Sequence, residues 1–317
     1  MANLSDRVSG DPHRTASNPN LLINGGFDIW QRGTGYSGGG YTADRWNIDN
    51  QFFIQSALVP DESAPWSGNI ITDGIIEPNV YTSVELSNPA EGPAPFTNKK
   101  NYTLSFWAYR QNTDPFRIQL SYVDTVSEVT NQVMILDTVT QPVAGLTWEY
   151  LTLTFNIGAN VPVPTNLSLQ IQITAINDVN VGEINVNLAL AKLEVGTKAT
   201  PFTRAGNTLE GELAMCQRYY QHHFMGVGKF IGGGTDASCY GVFLVTMRVA
   251  PSITLIGSAL PSVDEIGVGS VNIDSIASYS STPYSGNVAL NLSVAGTVDA
   301  ICAITPLDSV FNINAEL

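Results

Sequence analysis

The feature that most limits the fold of this chain is a two-residue alternation of apolar and polar side chains, repeated in run after run. Tyr102, Leu104, Phe106 and Ala108 alternate with Thr103, Ser105, Trp107 and Tyr109. Phe116, Ile118, Leu120 and Tyr122 alternate with Arg117, Gln119 and Ser121, and the same rule holds for Leu151, Leu153, Phe155 and Ile157 and for Leu167, Leu169, Ile171 and Ile173. A fifth run, Ile184, Val186, Leu188 and Leu190, alternates with Asn185, Asn187 and Ala189. Successive side chains of a strand point to opposite faces, so a period of two specifies strands with one buried face and excludes a helix. Turn-forming clusters at Asn112–Pro115, Pro142–Gly145, Asn160–Pro164 and Asn177–Gly182 separate these runs, with no helical pattern between them. Strands joined directly by loops pair antiparallel, and a second sheet is the economical cover for their apolar faces. The expected fold is mostly β, an antiparallel jelly-roll β-sandwich.

The period changes once. Leu209, Leu213 and Cys216, with Tyr219 or Tyr220 following, share one face of a short helix between Asn207 and Gln221. Asn207 or Thr208 is placed to cap it, Glu210 and Glu212 suit its positive N-terminal end, and Arg218 lies near its C-terminal end. Beyond it, Gly241–Arg248, Ser252–Ile256, Gly286–Ala295 and Phe311–Leu317 read as strands of a second, smaller β domain, while Ile256–Ile276 is too rich in Gly and Ser to assign. Residues 1–19 are polar and lack the apolar surface to fold by themselves, so they are expected to form an arm. The chain thus divides into an arm at 1–19, a jelly roll at 20–204, a linking helix at 205–224 and a C-terminal β domain at 225–317.

Composition narrows the function. The 14 basic residues against 28 acidic ones give a net charge of -14, which repels a polyanion, so no nucleic-acid partner is expected. Cys216, Cys239 and Cys302 are far apart and include no Cys-x-x-Cys pair, so they read as small buried hydrophobes. No stretch reaches membrane-spanning length, and Met1–Asn20 carries Asp6, Arg7, Asp11, His13 and Arg14 without an apolar run; neither membrane insertion nor a signal peptide is expected.

Candidates for catalysis are thin. His222 and His223 are adjacent and point apart, and His13 is the only other histidine, so no nucleophile finds an obvious base. The acid pairs Asp61–Glu62 and Asp44–Asp49 are ordinary loop carboxylates, and Gly38–Gly40 and Gly232–Gly234 lack the Lys and helix start of a phosphate loop. The chain is read as a non-enzyme that presents a binding surface, and no motif requires a cofactor.

The outward positions of the first two alternating runs carry the ligand candidates. Trp107 and Tyr109, set beside Arg117 and Gln119 of the next strand, would offer flat rings with amide, guanidinium and hydroxyl groups at their edges. That mixture fits the apolar faces and hydroxyl rim of a sugar. The competing reading is that Trp107 packs under a loop or a neighbouring subunit.

Two stretches add a resemblance. Asn20-Leu-Leu-Ile-Asn24-Gly25-Gly26-Phe27-Asp28-Ile-Trp30-Gln31-Arg32-Gly33, then Tyr41-Thr42-Ala43-Asp44-Arg45-Trp46, resembles the start of a domain of bacteriophage tail-fibre and other virion surface proteins. Leu190-Ala-Lys-Leu193-Glu194-Val-Gly196-Thr-Lys-Ala-Thr200-Pro201-Phe202 resembles its last strand and exit, and Glu212–Tyr220 and Val245–Pro251 are similar to the segments commonly found C-terminal to that domain. The opening also resembles jelly-roll carbohydrate-binding modules. The resemblance implies a protein of the virion surface, made and assembled in the host bacterial cytoplasm. Its arm would bind other virion proteins, it would form a homotrimer, and its partner outside the particle would be host-surface glycan. The resemblance also implies a structural calcium near Asp28, although the last strand offers Asn185 and Asn187 where such modules place a carboxylate. The alternative is a capsid decoration or adaptor that touches only virion proteins, and the third reading is a glycan depolymerase. Trp46 and Arg45 are read as core and core edge.

Overall fold

The computed structural model describes residues 18–61, 64–72, 79–85, 101–110, 116–124, 131–139, 145–156, 167–175, 184–222, 225–231, 236–255, 262–265, 269–292, 301–304 and 311–316. Residues 1–17 of the expected arm lie outside these, as do the turn clusters apart from Gly145, Ile157, Glu62, His13, His223 and Gly232–Gly234. So do the last residues of the runs ending at Ile256, Ala295 and Leu317. The chain forms two compact units with the boundary between Glu212 and Leu213.

The first unit holds ten strands: β1 (Gly35–Tyr41), β2 (Trp46–Ser56), β3 (Ser67–Thr72), β4 (Asn79–Glu85), β5 (Asn101–Arg110), β6 (Phe116–Asp124), β7 (Asn131–Val139), β8 (Trp148–Asn156), β9 (Leu167–Ala175) and β10 (Ile184–Val195). All pairings are antiparallel. The order is β7-β6-β9-β4-β2-β3-β10-β5-β8, with β1 paired to β2. Strand β2 is long enough to serve two layers: Trp46–Ile48 pair with β4, and Phe52–Ser56 pair with β3. The sheet therefore curls into a jelly-roll sandwich with layers β7-β6-β9-β4 and β3-β10-β5-β8.

Alternation decides what fills the space between the layers. Tyr102, Leu104, Phe106 and Ala108 of β5, Phe116, Ile118 and Leu120 of β6, Ile171 and Ile173 of β9, and Val186 and Leu188 of β10 are all buried in one cluster. Phe106 meets Phe116 edge-on at 5.9 Å and Arg110 lies 5.3 Å from the Phe116 ring, so β5 and β6 face each other across this core. Each large apolar side chain so buried contributes about 1.5–3 kcal/mol.

One departure from alternation decides which side chains of β10 face outward. Between Ala189 and Lys192, β10 contains one residue more than the facing stretch of β5, and Leu190 takes a left-handed φ of 51°. The extra residue reverses the phase, so Asn187 and Ala189 point outward before the bulge and Lys192 and Glu194 after it.

The opening segment docks on this bulge. The N–H of Ala191 donates to the Gly25 carbonyl at 2.7 Å, and a Cβ on Gly25 would lie 2.0 Å from the Ala191 carbonyl oxygen, so only glycine fits. Asn24 is the hub. Its Nδ2 donates to the carbonyls of Ile29 and Asp44, its Oδ1 accepts from the Ile29 N–H, and its own carbonyl accepts from Trp46 Nε1 at 2.9 Å. Phe27 and Trp46 pack at 4.8 Å beside Phe53, which confirms Trp46 as core. Arg45 is likewise buried.

Helix α1 (Leu209–Gln217) is shorter than the span read from the sequence. Thr208 caps it, its Oγ1 accepting from the Gly211 N–H at 3.1 Å, while Arg218 lies beyond the last turn. The expected apolar face is not a buried face: Leu209 and Leu213 are 50% and 36% exposed, whereas Glu212 and Cys216 are buried.

In the second unit β12 (Met225–Ile231), β13 (Asp236–Val242), β15 (Ser262–Glu265), β16 (Gly269–Ser281), β17 (Ser285–Leu292) and β18 (Ile301–Ile304) close a barrel. Strands β11 (Tyr220–Gln221), β19 (Phe311–Asn314) and β14 (Ser252–Leu255) form a small sheet. The expected strand Gly241–Arg248 ends at Val242. From there Phe243 and Met247 enter the core, their N–H groups donating to the carbonyls of Tyr284 and Pro283.

Because Asn24 makes three buried side-chain hydrogen bonds at a left-handed φ of 57°, Asn24→Ala is expected to cost the first unit about 2–4 kcal/mol. Chemical denaturation measures it; a loss below about 1 kcal/mol would remove Asn24 as the hub.

Candidate functional site

The two outward faces of the sandwich differ in chemistry. On the β7-β6-β9-β4 side, register places Tyr41, Asn47, Tyr81, Gln172 and Gln119 in one row across β1, β2, β4, β9 and β6. Each is half-buried, with Arg117, Thr174 and Asn79 in the adjacent row. Four strand spacings make the row about 19 Å long. Tyrosine rings offer flat apolar faces, and each amide offers both donors and an acceptor.

The row is tied at two points. Tyr81 Oη donates to Asp49 Oδ1 at 3.2 Å, and burial together with the Asp49 charge pushes the Tyr81 phenol well above its usual range. Arg32 stands 5.4 Å from the Tyr41 ring. Asn47 Oδ1, by contrast, is buried without a hydrogen-bond partner among the described residues. A buried acceptor left unmet costs about 1–3 kcal/mol, which a donor from a ligand would recover.

The other outward face is aromatic. Trp107 and Tyr109 of β5 lie opposite Tyr150 and Trp148 of β8, with ring centroids 5.3 and 5.8 Å apart. Tyr150 is 43% exposed, and Trp107, like Val59, Trp148 and Phe202, packs against the small buried cluster of Ala64, Ala189 and Leu190. The four residues nominated from the sequence are therefore not one platform. Trp107 and Tyr109 sit on one outward face, Arg117 and Gln119 on the opposite one, because β5 and β6 belong to different layers and β6 pairs with β7 and β9 instead. The residues that complete each set, Tyr81, Gln172 and Asn47 on one side and Trp148 and Tyr150 on the other, were missed by sequence reasoning. Gln172 stands at an outward position of an alternating run, as Gln119 does, and that was the available signal.

The acidic residues of the opening segment are engaged internally. Asp28 Oδ2 accepts from Arg204 Nε at 2.7 Å. Asp44 holds the Gln31 side chain and backbone N–H and lies 3.7 Å from Arg32. A calcium at Asp28 would compete with the Arg204 guanidinium, and among the described residues no group of three or more His, Cys, Asp or Glu is placed to hold a metal ion. Asn187, where a carboxylate ligand would be sought, bonds Asn69 and Ser67 instead. Asp28 Oδ1 is buried without a hydrogen-bond partner among the described residues, so the pairing with Arg204 engages one of its two oxygens. His222 packs edge-on against Tyr220 at 4.9 Å.

Glu212 is buried and bridges two backbone donors, the N–H of Asn24 and that of Gly206, the latter at 2.6 Å. Burial pushes its carboxyl above the usual carboxylate range against the pull of these hydrogen bonds.

No family model matches the chain, and no curated protein matches it. Solved structures do. The enzymatically active domain of tailspike protein 4 of bacteriophage CBA120 matches 56% of this chain at 13% identity and a TM-score of 0.36. The CBM22-1–GH10 modules of Clostridium thermocellum xylanase 10B match 57% at 11% identity and a TM-score of 0.37. The CBM22-2 xylan-binding domain of Paenibacillus barcinonensis Xyn10C matches 48% at 11% identity and a TM-score of 0.33. The chain spans 21% of the tailspike domain's length, 29% of the xylanase's and 92% of the xylan-binding domain's. Scores this low describe a partial likeness of strand layout and carry no function across.

A carboxyl whose folded-state pKa is raised stabilises most below its unfolded value and loses that contribution as pH rises through the folded one. Wild type should therefore gain stability relative to Glu212→Gln as pH falls from 7 into the acid range. Urea melts of both proteins at pH 7, 5.5 and 4 measure the difference; a constant gap would refute the raised pKa.

Proposed function

We propose that this chain is a non-enzymatic surface protein of a bacteriophage virion, a tail fibre, spike or tail tip, and that its jelly roll holds host-surface glycan on the row Tyr41, Asn47, Tyr81, Gln172 and Gln119. The observation that carries the glycan reading is this row, in which Asn47 Oδ1 is buried without a hydrogen-bond partner among the described residues. Sugars present alternating apolar ring faces and hydroxyl edges, and a row of tyrosines and amides on a rigid sheet meets both without a charged group in the row itself. The virion location and a trimeric state rest on the opening and exit motifs, Asn20–Trp46 and Leu190–Phe202, that resemble phage fibre domains.

A second reading, a decoration or adaptor that binds virion proteins, is favoured by the second unit. Tyr240, Val242, Leu244 and Tyr284 are all more than half exposed there, and Phe243 N–H bonds the Tyr284 carbonyl, which holds the two segments together. Exposed apolar clusters of this kind meet protein more readily than sugar.

The double substitution Tyr81→Ala, Gln172→Ala is expected to weaken adsorption to host cells, or binding in a glycan array, at least about tenfold while the melting curve stays cooperative. Wild-type protein that binds no host cell and no glycan, yet assembles on particles lacking it, would establish the second reading in its place.

A further inference from the structure

The segment leaving β10 folds back over the aromatic outward face and encloses a cavity of about 660 Å³, whose lining includes Ser105, Trp107, Tyr150, Lys192, Thr200 and Arg204. Its geometry stems from the bulge in β10, which turns Lys192 outward beside Ser105. The Trp107 and Tyr150 rings, inclined by 48°, form one wall. Lys192, only 1% exposed, is fixed by Thr200 Oγ1 at 2.7 Å and the Pro201 carbonyl at 2.8 Å.

Three observations point to a ligand. Ser105 is one of the lining residues, is fully buried, and its Oγ has no hydrogen-bond partner among the described residues. Arg204 spends its Nε on Asp28, so the donors of its two terminal nitrogens are left over for the cavity it lines. The lining includes two cationic side chains and no carboxylate, in a chain with 14 basic and 28 acidic residues; the partners Glu194 and Asp28 balance the charges from outside the lining.

We propose that this cavity is a second ligand site, separate from the tyrosine-and-amide row, and that it takes a sugar bearing a carboxylate. The ring stacks against Trp107 and Tyr150, and the carboxylate accepts from Arg204 and Ser105. A planar guanidinium fork matches a carboxylate, and the partly enclosed wall strengthens the interaction relative to open water. The row and the cavity lie on opposite outward faces, so each binds without the other.

The test titrates the full chain with galacturonic, glucuronic and N-acetylneuraminic acids, each beside its methyl ester, and reads binding by tryptophan fluorescence and calorimetry. At least one acid should bind about tenfold or more tightly than its ester, the size expected of a charge-assisted hydrogen bond. Arg204→Gln should abolish that preference. Because Arg204 also holds Asp28, Ser105→Ala and Trp107→Leu serve as second variants: each should weaken binding several-fold with melting unchanged. The row variant Tyr81→Ala, Gln172→Ala should leave the acid's affinity intact even where it ends adsorption to cells. Failure of every acid to bind, equal binding of acid and ester, or loss of acid binding in the row variant would each overturn the second site. Loss of cell adsorption in the row variant alone bears only on the first.

Discussion

Everything in the first unit depends on a shared apolar interior between two curled layers. A strand that gives Tyr102, Leu104, Phe106 and Ala108 to that interior must turn Ser105, Trp107 and Tyr109 the other way. The same necessity applied to β4, β6 and β9 puts Tyr81, Gln119 and Gln172 on a common outward row. The core thus does more than stabilise. It fixes which side chains stand side by side on a flat, stiff surface, and recognition of a stiff, repetitive ligand requires such spacing.

Much of this was legible in the chain itself. Period-two alternation gave the five clearest strands of the first unit and the mostly β fold, because a half-buried strand has no other way to satisfy both its faces. What alternation does not encode is which strand lies next to which. Strands β5 and β6 are consecutive in sequence and would pair if they were a hairpin; in the sandwich they face each other, as the Phe106–Phe116 contact shows, so Trp107 and Arg117 end on opposite surfaces. Strand β12 escaped notice for a different reason. Gly226 and Gly228 punctuate it, and Gly228 is required because a Cβ there would come within 1.8 Å of the Ser238 carbonyl oxygen on the neighbouring strand β13.

The motifs that carry the resemblance to phage fibre domains turn out to be scaffold. Asn24 ties a turn to three carbonyl or N–H groups, Trp46 fills the core beneath it, Asp44 orders Gln31, and Glu212 reaches back to Asn24. These residues consume their own hydrogen-bonding capacity inside the molecule. A likeness built on them speaks for how the domain is held shut, while the outward residues that would select a ligand fall between the motifs.

The bulge at Leu190 has a consequence for how such a chain tolerates change in length. Deleting a single residue between Ala189 and Lys192 would remove the bulge on which Gly25 docks, yet leave Lys192 opposite Ser105 and Leu193 opposite Leu104, with their outward and inward directions kept. A one-residue deletion in a regular stretch of β10 would instead exchange core for surface along everything on one side of it, so the bulge marks where the strand's length can change by one without inverting its faces.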